Sequence, residues 1–186
     1  MIRTMRTFIL LISFIGLSLT GSAQYEAGRI TSIGFGAGDS RHAGSYTVEE
    51  DFRTKQFSGF RALVIELKLG WNFWEMTSIY GVGRFSPSNS IVSPYRSTYL
   101  GLGVSQALPF AKRIYFIANY GNYRSSLGGG VSAGKGSLIN LGAGIKLDDN
   151  IYMEFNNTKG SLSDIDPSVN ISTEANQWFG TISFSF

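Results

Sequence analysis

Cysteine is absent from the 186 residues of the chain. Its absence excludes a disulfide scaffold, a thiolate metal site, a cysteine nucleophile and a lipoprotein anchor. Proline is scarce, at four residues, and the only histidine is His42. Past residue 20, no window holds the roughly 18 uninterrupted apolar residues that a membrane helix needs. The chain past residue 20 therefore offers no candidate membrane-spanning helix.

An excess of charge of one sign is also lacking. The 16 Lys and Arg residues face 13 Asp and Glu residues, for a formal net charge of +3. Arg3 and Arg6 lie in a segment that we expect to be removed, which leaves a mature charge of about +1. The basic residues are scattered singly along the sequence, whereas a phosphate-binding surface needs a basic stripe. We therefore expect no nucleic-acid partner.

The first 23 residues have the layout of a secretory signal peptide. A short basic start is followed by an apolar run from Phe8 to Leu19, and small residues follow at 21–23. This order predicts Sec export and cleavage before Gln24. The alternative is an uncleaved anchor, but the apolar run is too short to span a bilayer comfortably. A mature domain would then cover residues 24–186.

Glycine and aromatic residues are abundant, at 23 residues and 14% respectively. Apolar and polar residues alternate with a period of two in eight segments, which is typical of strands. In the second segment Leu63, Ile65 and Leu67 share one face, while Glu66 and Lys68 share the other. The third segment is ambiguous between its two faces. The eight segments are Gly28–Ala37, Gly59–Trp71, Met76–Phe85, Arg96–Gln106, Lys112–Tyr123, Ser137–Leu147, Ile151–Thr158 and Gln177–Phe186.

The connections between these segments alternate in length. Long polar connections are expected near 38–57, 86–95, 124–136 and 159–176, with short turns near 72–75, 107–111 and 148–150. All four prolines fall in these connections, as a fully paired sheet requires. Outer-membrane barrels combine short periplasmic turns with longer external loops. The sequence predicts an all-β fold, an eight-stranded antiparallel up-and-down transmembrane β-barrel; the alternative is a soluble sandwich or lipocalin-like barrel.

Several glycine-rich stretches carry a resemblance to a known group of proteins. Gly-Phe-Gly-Ala-Gly at 34–38, Gly-Leu-Gly-Val-Ser at 101–105 and Leu-Gly-Ala-Gly-Ile at 141–145 resemble small outer-membrane β-barrel proteins, the OmpA-like, OmpX-like and opacity-type superfamily, in the form common in the Bacteroidetes. The resemblance implies the outer membrane of a Gram-negative bacterium and contact with its lipid and lipopolysaccharide. We expect a monomer.

The resemblance also implies insertion by the barrel-assembly machinery, which reads the last strand. The usual signal has glycine five residues before the final aromatic residue. Here that position is Thr181, and the glycine lies one residue earlier. The predicted assembly signal comprises the alternate residues Trp178, Gly180, Ile182, Phe184 and Phe186.

Four charged residues are predicted to face the lumen near its turn side, namely Glu66, Lys68, Lys146 and Glu154. In a narrow barrel they would form an ion-pair network. The network could serve as a gate or proton path, or as a structural plug that satisfies buried charge. We favour the plug, because glycine-rich neighbours leave little continuous water.

Aromatic residues are predicted to form two girdles at the membrane interfaces. The turn-side girdle contains Trp71, Phe73, Trp74 and Phe110 together with Phe186. The loop-side girdle contains Tyr120, Tyr123 and Trp178, with Tyr95.

No catalytic, cofactor-binding or metal-binding residue is predicted. His42 lacks a nucleophile and an orienting partner in any recognisable motif, although lipid A-modifying outer-membrane enzymes are small barrels. We expect a structural or surface-binding role carried by the external loops. A narrow pore that uses the lumen charges is the first alternative, and a lipid A-modifying enzyme is the second.

Overall fold

The protein is an eight-stranded closed barrel in a computed structural model, which describes residues 28–48, 51–73, 76–89, 94–127, 132–163 and 171–186. No helix among these residues is long and apolar enough to cross a membrane. The strands are β1 Gly28–Val48, β2 Asp51–Phe73, β3 Thr77–Asn89, β4 Pro94–Leu108, β5 Ala111–Leu127, β6 Ser132–Asp148, β7 Ile151–Ser163 and β8 Ile171–Ser185.

Each strand pairs antiparallel with its sequence neighbours, and β8 pairs with β1 to close the sheet. The stagger of the closed sheet is ten residues. A path that starts at Phe35 and steps from each residue to its paired residue on the next strand returns to β1 at Ser45. With eight strands, this stagger corresponds to a strand tilt of about 40°. The fold class predicted from the sequence is confirmed.

The strands alternate between a lumen face and an outer face, as their sequences predict. On β2, the residues from Ala62 to Lys68 at even positions are buried and those at odd positions are exposed. The structure also resolves the ambiguity of β3, whose Tyr80, Val82 and Arg84 are buried in the lumen. Ile79 and Phe85 are exposed on the outer face.

The strands are longer and the connections shorter than the sequence analysis predicts. The polar stretch 38–57 is not a loop, because β1 and β2 remain paired until Val48 lies opposite Asp51. Pro87 and Pro94 likewise lie inside strand ends rather than in a connection. Only part of each strand carries an apolar outer face. The alternation of apolar and polar residues in the sequence therefore stops before the strand ends, and the predicted strands were too short. The predicted signal peptide, 1–23, lies outside the described residues.

A belt of exposed apolar side chains surrounds the barrel. On β2 it comprises six consecutive outward residues from Leu63 to Phe73, which are 41% to 65% exposed. At a rise of about 3.3 Å per residue and a tilt of about 40°, those ten residue steps cover roughly 25 Å along the barrel axis. Leu100, Leu102 and Phe155 extend the belt round the barrel, and all three are more than half exposed.

Inward glycines make room for large lumen side chains. A Cβ atom at Gly144 would collide with the ring of Tyr115, and one at Gly103 would collide with Tyr80 and Asn119. The glycine-rich lumen face of the sequence thus allows aromatic rings to lie across a narrow interior.

Candidate functional site

Four buried charged residues meet inside the barrel, and we call them the charged quartet: Glu66, Lys68, Arg84 and Glu154. Arg84 donates from Nε and Nη2 to Glu66 Oε2, at 2.8 and 2.6 Å. Lys68 Nζ lies 2.5 Å from Glu154 Oε2 and 3.2 Å from Glu66 Oε1. Two carboxylates and two cations give the quartet a formal charge of zero. Buried ions are tolerated when they are paired in this way.

Hydrogen bonds extend from the charged quartet to other strands. The Tyr115 hydroxyl donates to Glu154 Oε1 at 2.8 Å, and Arg84 Nη1 donates to Thr158 Oγ1 at 3.1 Å. Thr158 in turn donates to Asn140 Oδ1 at 2.7 Å. The quartet and these partners come from β2, β3, β5, β6 and β7. The network therefore crosses the lumen and ties opposite walls together.

Of the four predicted lumen charges, the structure brings Glu66, Lys68 and Glu154 together, and the fourth member of the quartet is Arg84 instead of Lys146. Lys146 is buried opposite Tyr152, which makes Glu154 its diagonal neighbour, as expected. Its ammonium, however, pairs with Asp149 of the β6–β7 turn at 3.2 Å. Arg84 was missed because the faces of β3 were not resolved, although it lies directly opposite Glu66 in the β2–β3 register.

An apolar cluster fills the lumen on the loop side of the charged quartet. Tyr123 and Leu162 lie eight residues closer to the loop end than Tyr115 and Glu154 on the same strands. The guanidinium of Arg84 stacks on Phe179 at 4.0 Å from its ring centroid. Tyr123 also accepts a hydrogen bond from Gln177 at 2.8 Å. The cluster comprises Tyr99, Tyr123, Leu138, Leu162 and Ala175 on this side, and it continues to Val82 and to Tyr80, whose ring centroid lies 5.3 Å from Lys68 Nζ.

A cavity of about 70 Å³ lies between the charged quartet and the turn end of the barrel. It has room for about five water molecules, since each needs roughly 10–15 Å³. Lys68 and Glu154 border it on the inner side, and eight hydroxyl-bearing residues are among the others that line it. These are Ser32, Ser78, Ser105, Ser183, Ser185, Tyr80, Tyr115 and Tyr152. The turn side of the lumen therefore holds this cavity beside a second, smaller apolar cluster of Ala107, Tyr115 and Ile117.

Six residues of the predicted aromatic girdles are exposed on the outer face, and a seventh, Tyr123, is not. Trp71, Phe73, Phe110 and Phe186 are exposed towards the turn end, and Tyr120 and Trp178 are exposed further along. Tyr123 was predicted to join the loop-side girdle, but its side chain is only 1% exposed and points into the lumen. It has the same alternation phase as Tyr115, which is also buried. Trp74 lies outside the described residues, and so does the side chain of Tyr95.

The residues of the predicted assembly signal all lie on the outer face of β8. Trp178, Ile182, Phe184 and Phe186 are 41% to 81% exposed. Gly180 lies between Trp178 and Ile182, directly opposite Phe155 on β7. The rings of Phe155 and Trp178 are 5.6 Å apart, so aromatic side chains flank the glycine. Thr181, at the usual glycine position, is buried in the lumen.

No group of His, Cys, Asp and Glu side chains within the described part of the chain could hold a metal ion. His42 lies on β1 between Phe57 of β2 and Ala175 of β8 in the sheet register. The structure describes the backbone of His42 but not its side chain.

The chain resembles solved β-barrels in fold. Neisserial surface protein A superposes with a TM-score of 0.50 at 9% identity, covering 83% of this chain and 97% of that one. Ail, the attachment invasion locus protein of Yersinia pestis, superposes with a TM-score of 0.52 at 11% sequence identity. The match covers 86% of this chain and 100% of Ail. The outer membrane protein OprG from Pseudomonas aeruginosa gives 0.49 at 12% identity, covering 89% and 99%.

No family model matches the sequence, and no curated protein has a significant match to it. The structural likeness shows the fold, that of the small eight-stranded outer-membrane barrels.

Proposed function

We propose that the protein is an integral barrel of a Gram-negative outer membrane with a closed lumen, and that it acts through its external face in surface binding or envelope structure. The apolar belt carries this proposal. Transmembrane barrels have an outward apolar band about 25 Å tall, and the belt from Leu63 to Phe73 has that height. A soluble barrel would instead expose polar residues on its outer face.

The orientation follows from how far the strands extend beyond the belt. The ends of β2, β4 and β6 lie at one end of the barrel, together with the start of β1 and the end of β8. At the opposite end β1 and β2 stay paired well beyond the belt, as far as Val48 opposite Asp51. Outer-membrane barrels carry their longer extensions on the external side, so this end faces the cell exterior. The glycine-rich stretches at 34–38, 101–105 and 141–145 support the finer assignment to the OmpX-like and opacity-type barrels of the Bacteroidetes.

The lumen favours a structural role over a pore. An ion entering from the turn end would reach the cavity and then meet the charged quartet, whose members neutralise one another. Beyond the charged quartet it would meet the apolar cluster, whose aromatic and aliphatic side chains fill the lumen and offer an ion fewer polar partners than water does. The cavity itself favours the alternative of a narrow pore, because it extends from the turn end as far as Lys68 and Glu154.

Planar-bilayer conductance of the refolded barrel distinguishes the closed barrel from the pore. We expect no steady conductance from the natural chain or from Glu66→Gln. Steady conductance that changes in Glu66→Gln would contradict the closed lumen and support the pore. Slower migration of the boiled sample on a gel of the outer-membrane fraction tests membrane insertion separately, and a protein that stays soluble would refute the proposal.

The hairpin of β1 and β2 is the candidate external binding element. Beyond Leu63, β2 continues for twelve residues to Asp51, or roughly 30 Å at the same rise and tilt. β3 pairs with β2 only as far as Ala62 opposite Ser88.

The binding role can be tested by shortening this hairpin without changing its register. Gly44 pairs with Lys55, so removal of residues 44–55 and closure with a two-residue turn keeps the lower pairs. We expect the shortened barrel to remain heat-modifiable and to lose adhesion of whole cells to host or matrix surfaces. Unchanged adhesion would exclude this hairpin as the binding element. Lipid A profiles of cells with and without the protein test the enzyme alternative, for which an altered acyl chain would be required.

A further inference from the structure

Three cations that are separate in the sequence meet on the outer face at the loop end. Arg124 of β5 lies directly opposite Lys135 of β6. Arg124 also lies opposite Thr98 of β4, so Arg96, two residues before Thr98 and nearer the loop end, is its diagonal neighbour. All three side chains are exposed. We call Arg96, Arg124 and Lys135 the basic patch.

The basic patch has an unfavourable arrangement for an isolated protein. Like charges directly opposite each other across two strands are destabilising. β4 and β5 contain no acidic residue, and the only one in β6 is Asp148 at the turn end. The sequences of the adjoining connections, 90–93 and 128–131, contain none either. The three cations therefore have no carboxylate at the loop end of their own strands or in connections 90–93 and 128–131 to neutralise them.

The height of the patch matches that of lipid head groups. On the same outer face, the next large apolar residues are Leu100 of β4, Tyr120 of β5 and Ile139 of β6, each four residues closer to the turn end. Four residues on a tilted strand correspond to about 10 Å along the axis. The polar head-group layer of a bilayer leaflet lies directly above the hydrocarbon. A patch about 10 Å above the last large apolar residues therefore lies at the level of that layer.

We propose that the basic patch binds a phosphate group of lipopolysaccharide, whose acyl chains then lie against the apolar residues of β4, β5 and β6 below it. This inference rests on the membrane orientation proposed above. Two guanidinium groups can each bind phosphate with paired hydrogen bonds, and the ammonium adds a point charge. The bound phosphate would also neutralise the repulsion between Arg124 and Lys135. A ligand with both an anionic head and acyl chains fits this surface better than a soluble anion, because the apolar belt adjoins the patch.

The test compares lipid A that carries both phosphates with the same lipid after enzymatic removal of the phosphates. Both are titrated into the refolded full-length barrel in dodecyl maltoside micelles, and only samples that show heat-modifiable migration are used. This criterion separates failure of the patch from failure of the membrane proposal. We expect the phosphorylated lipid to bind at least tenfold more tightly. Arg124→Gln and Lys135→Gln should each weaken its binding about fivefold, since each cation near an anionic surface contributes about that factor.

Two further variants make the test specific. Arg29→Gln removes an exposed cation at the turn end, and we expect it to bind like the natural chain. Lys135→Glu should abolish the preference for the phosphorylated lipid while raising the denaturation midpoint of the lipid-free barrel, because it converts a like-charge pair into an ion pair. Equal binding of both lipids would overturn the proposal, as would an equal loss of binding in Arg29→Gln. Inorganic phosphate that competes at the same concentration as lipid A would exclude the lipid as the occupant.

Discussion

Removal of one member of the Glu66–Arg84 pair should destabilise the barrel far more than removal of both. The variants are Glu66→Leu, Arg84→Met and the double substitution. Glu66→Leu changes the formal charge of the charged quartet from zero to +1, and Arg84→Met changes it from zero to −1. The double change leaves Lys68 and Glu154 as a balanced pair, with Lys68 Nζ 2.5 Å from Glu154 Oε2.

The expected magnitudes follow from the burial of the pair. The side chains of Arg84 and Glu66 are only 2% and 1% exposed. Glu66→Leu leaves the Arg84 guanidinium without its carboxylate, and loss of one partner of a buried ion pair costs about 3–5 kcal/mol. Arg84→Met should cost a similar amount. In the double variant both positions are apolar, beside Phe179 and Tyr99, and such replacements are often neutral, so we expect a loss of no more than about 2 kcal/mol.

Urea unfolding of the barrel reconstituted in phospholipid vesicles, followed by tryptophan fluorescence, measures these free energies. The slope of the unfolding free energy against urea should be the same in all variants, which confirms that the same surface is exposed. Thr77→Val is the control, because it removes only an exposed hydrogen bond, which the Thr77 hydroxyl donates to Gln106 at 2.7 Å, and it should cost no more than about 1.5 kcal/mol. If the double variant lost as much stability as the two single variants together, the coupling inferred from the geometry would be refuted.

Three further changes test other parts of the barrel by the same unfolding assay. Leu67→Arg introduces a charge in the middle of the apolar belt and should cost about 2–4 kcal/mol in vesicles, with Leu67→Ile as the near-neutral control; equal losses would refute a lipid-facing belt. Tyr115→Phe removes the hydrogen bond to Glu154 and should cost about 1.5–3 kcal/mol, whereas an unchanged midpoint would refute that bond. Gly144→Ala forces the Tyr115 ring to move and should lower the unfolding free energy by about 1–3 kcal/mol. In the control Gly28→Ala, the added methyl group meets no atom within 4 Å, and stability should not change. Equal losses of stability in the two variants would contradict the steric argument.

The alternation of the sequence predicted the strand number, the closed barrel and most of the lumen face. It was sufficient for β2, where charged and apolar residues separate cleanly onto two faces. It failed for β3, because Tyr80 and Val82 are as apolar as Ile79, and so Arg84 was not recognised as a lumen residue. Only the register, which places Arg84 opposite Glu66, provides that information.

Two other errors have different physical causes. The strand ends beyond the belt were predicted as loops, since strands surrounded by water need no apolar outer face and therefore lose the alternation. Tyr123 was assigned to the girdle from its residue type, although its phase along β5 places it in the lumen. The basic patch could not be recognised from the sequence, because Arg96, Arg124 and Lys135 become neighbours only through the pairing of three strands.

The pairing of β8 with β1 has a consequence for the order in which the barrel forms. Seven of the eight pairings join strands that follow each other in sequence, and each can form locally. The closing pair joins residues such as Ser32 and Ser185, which are far apart in the sequence of the domain. Contacts of such high sequence separation form slowly. Until they form, β1 and β8 each present a row of unpaired backbone groups, which lipid cannot satisfy. Closure of the sheet and entry into the hydrocarbon should therefore be one concerted step.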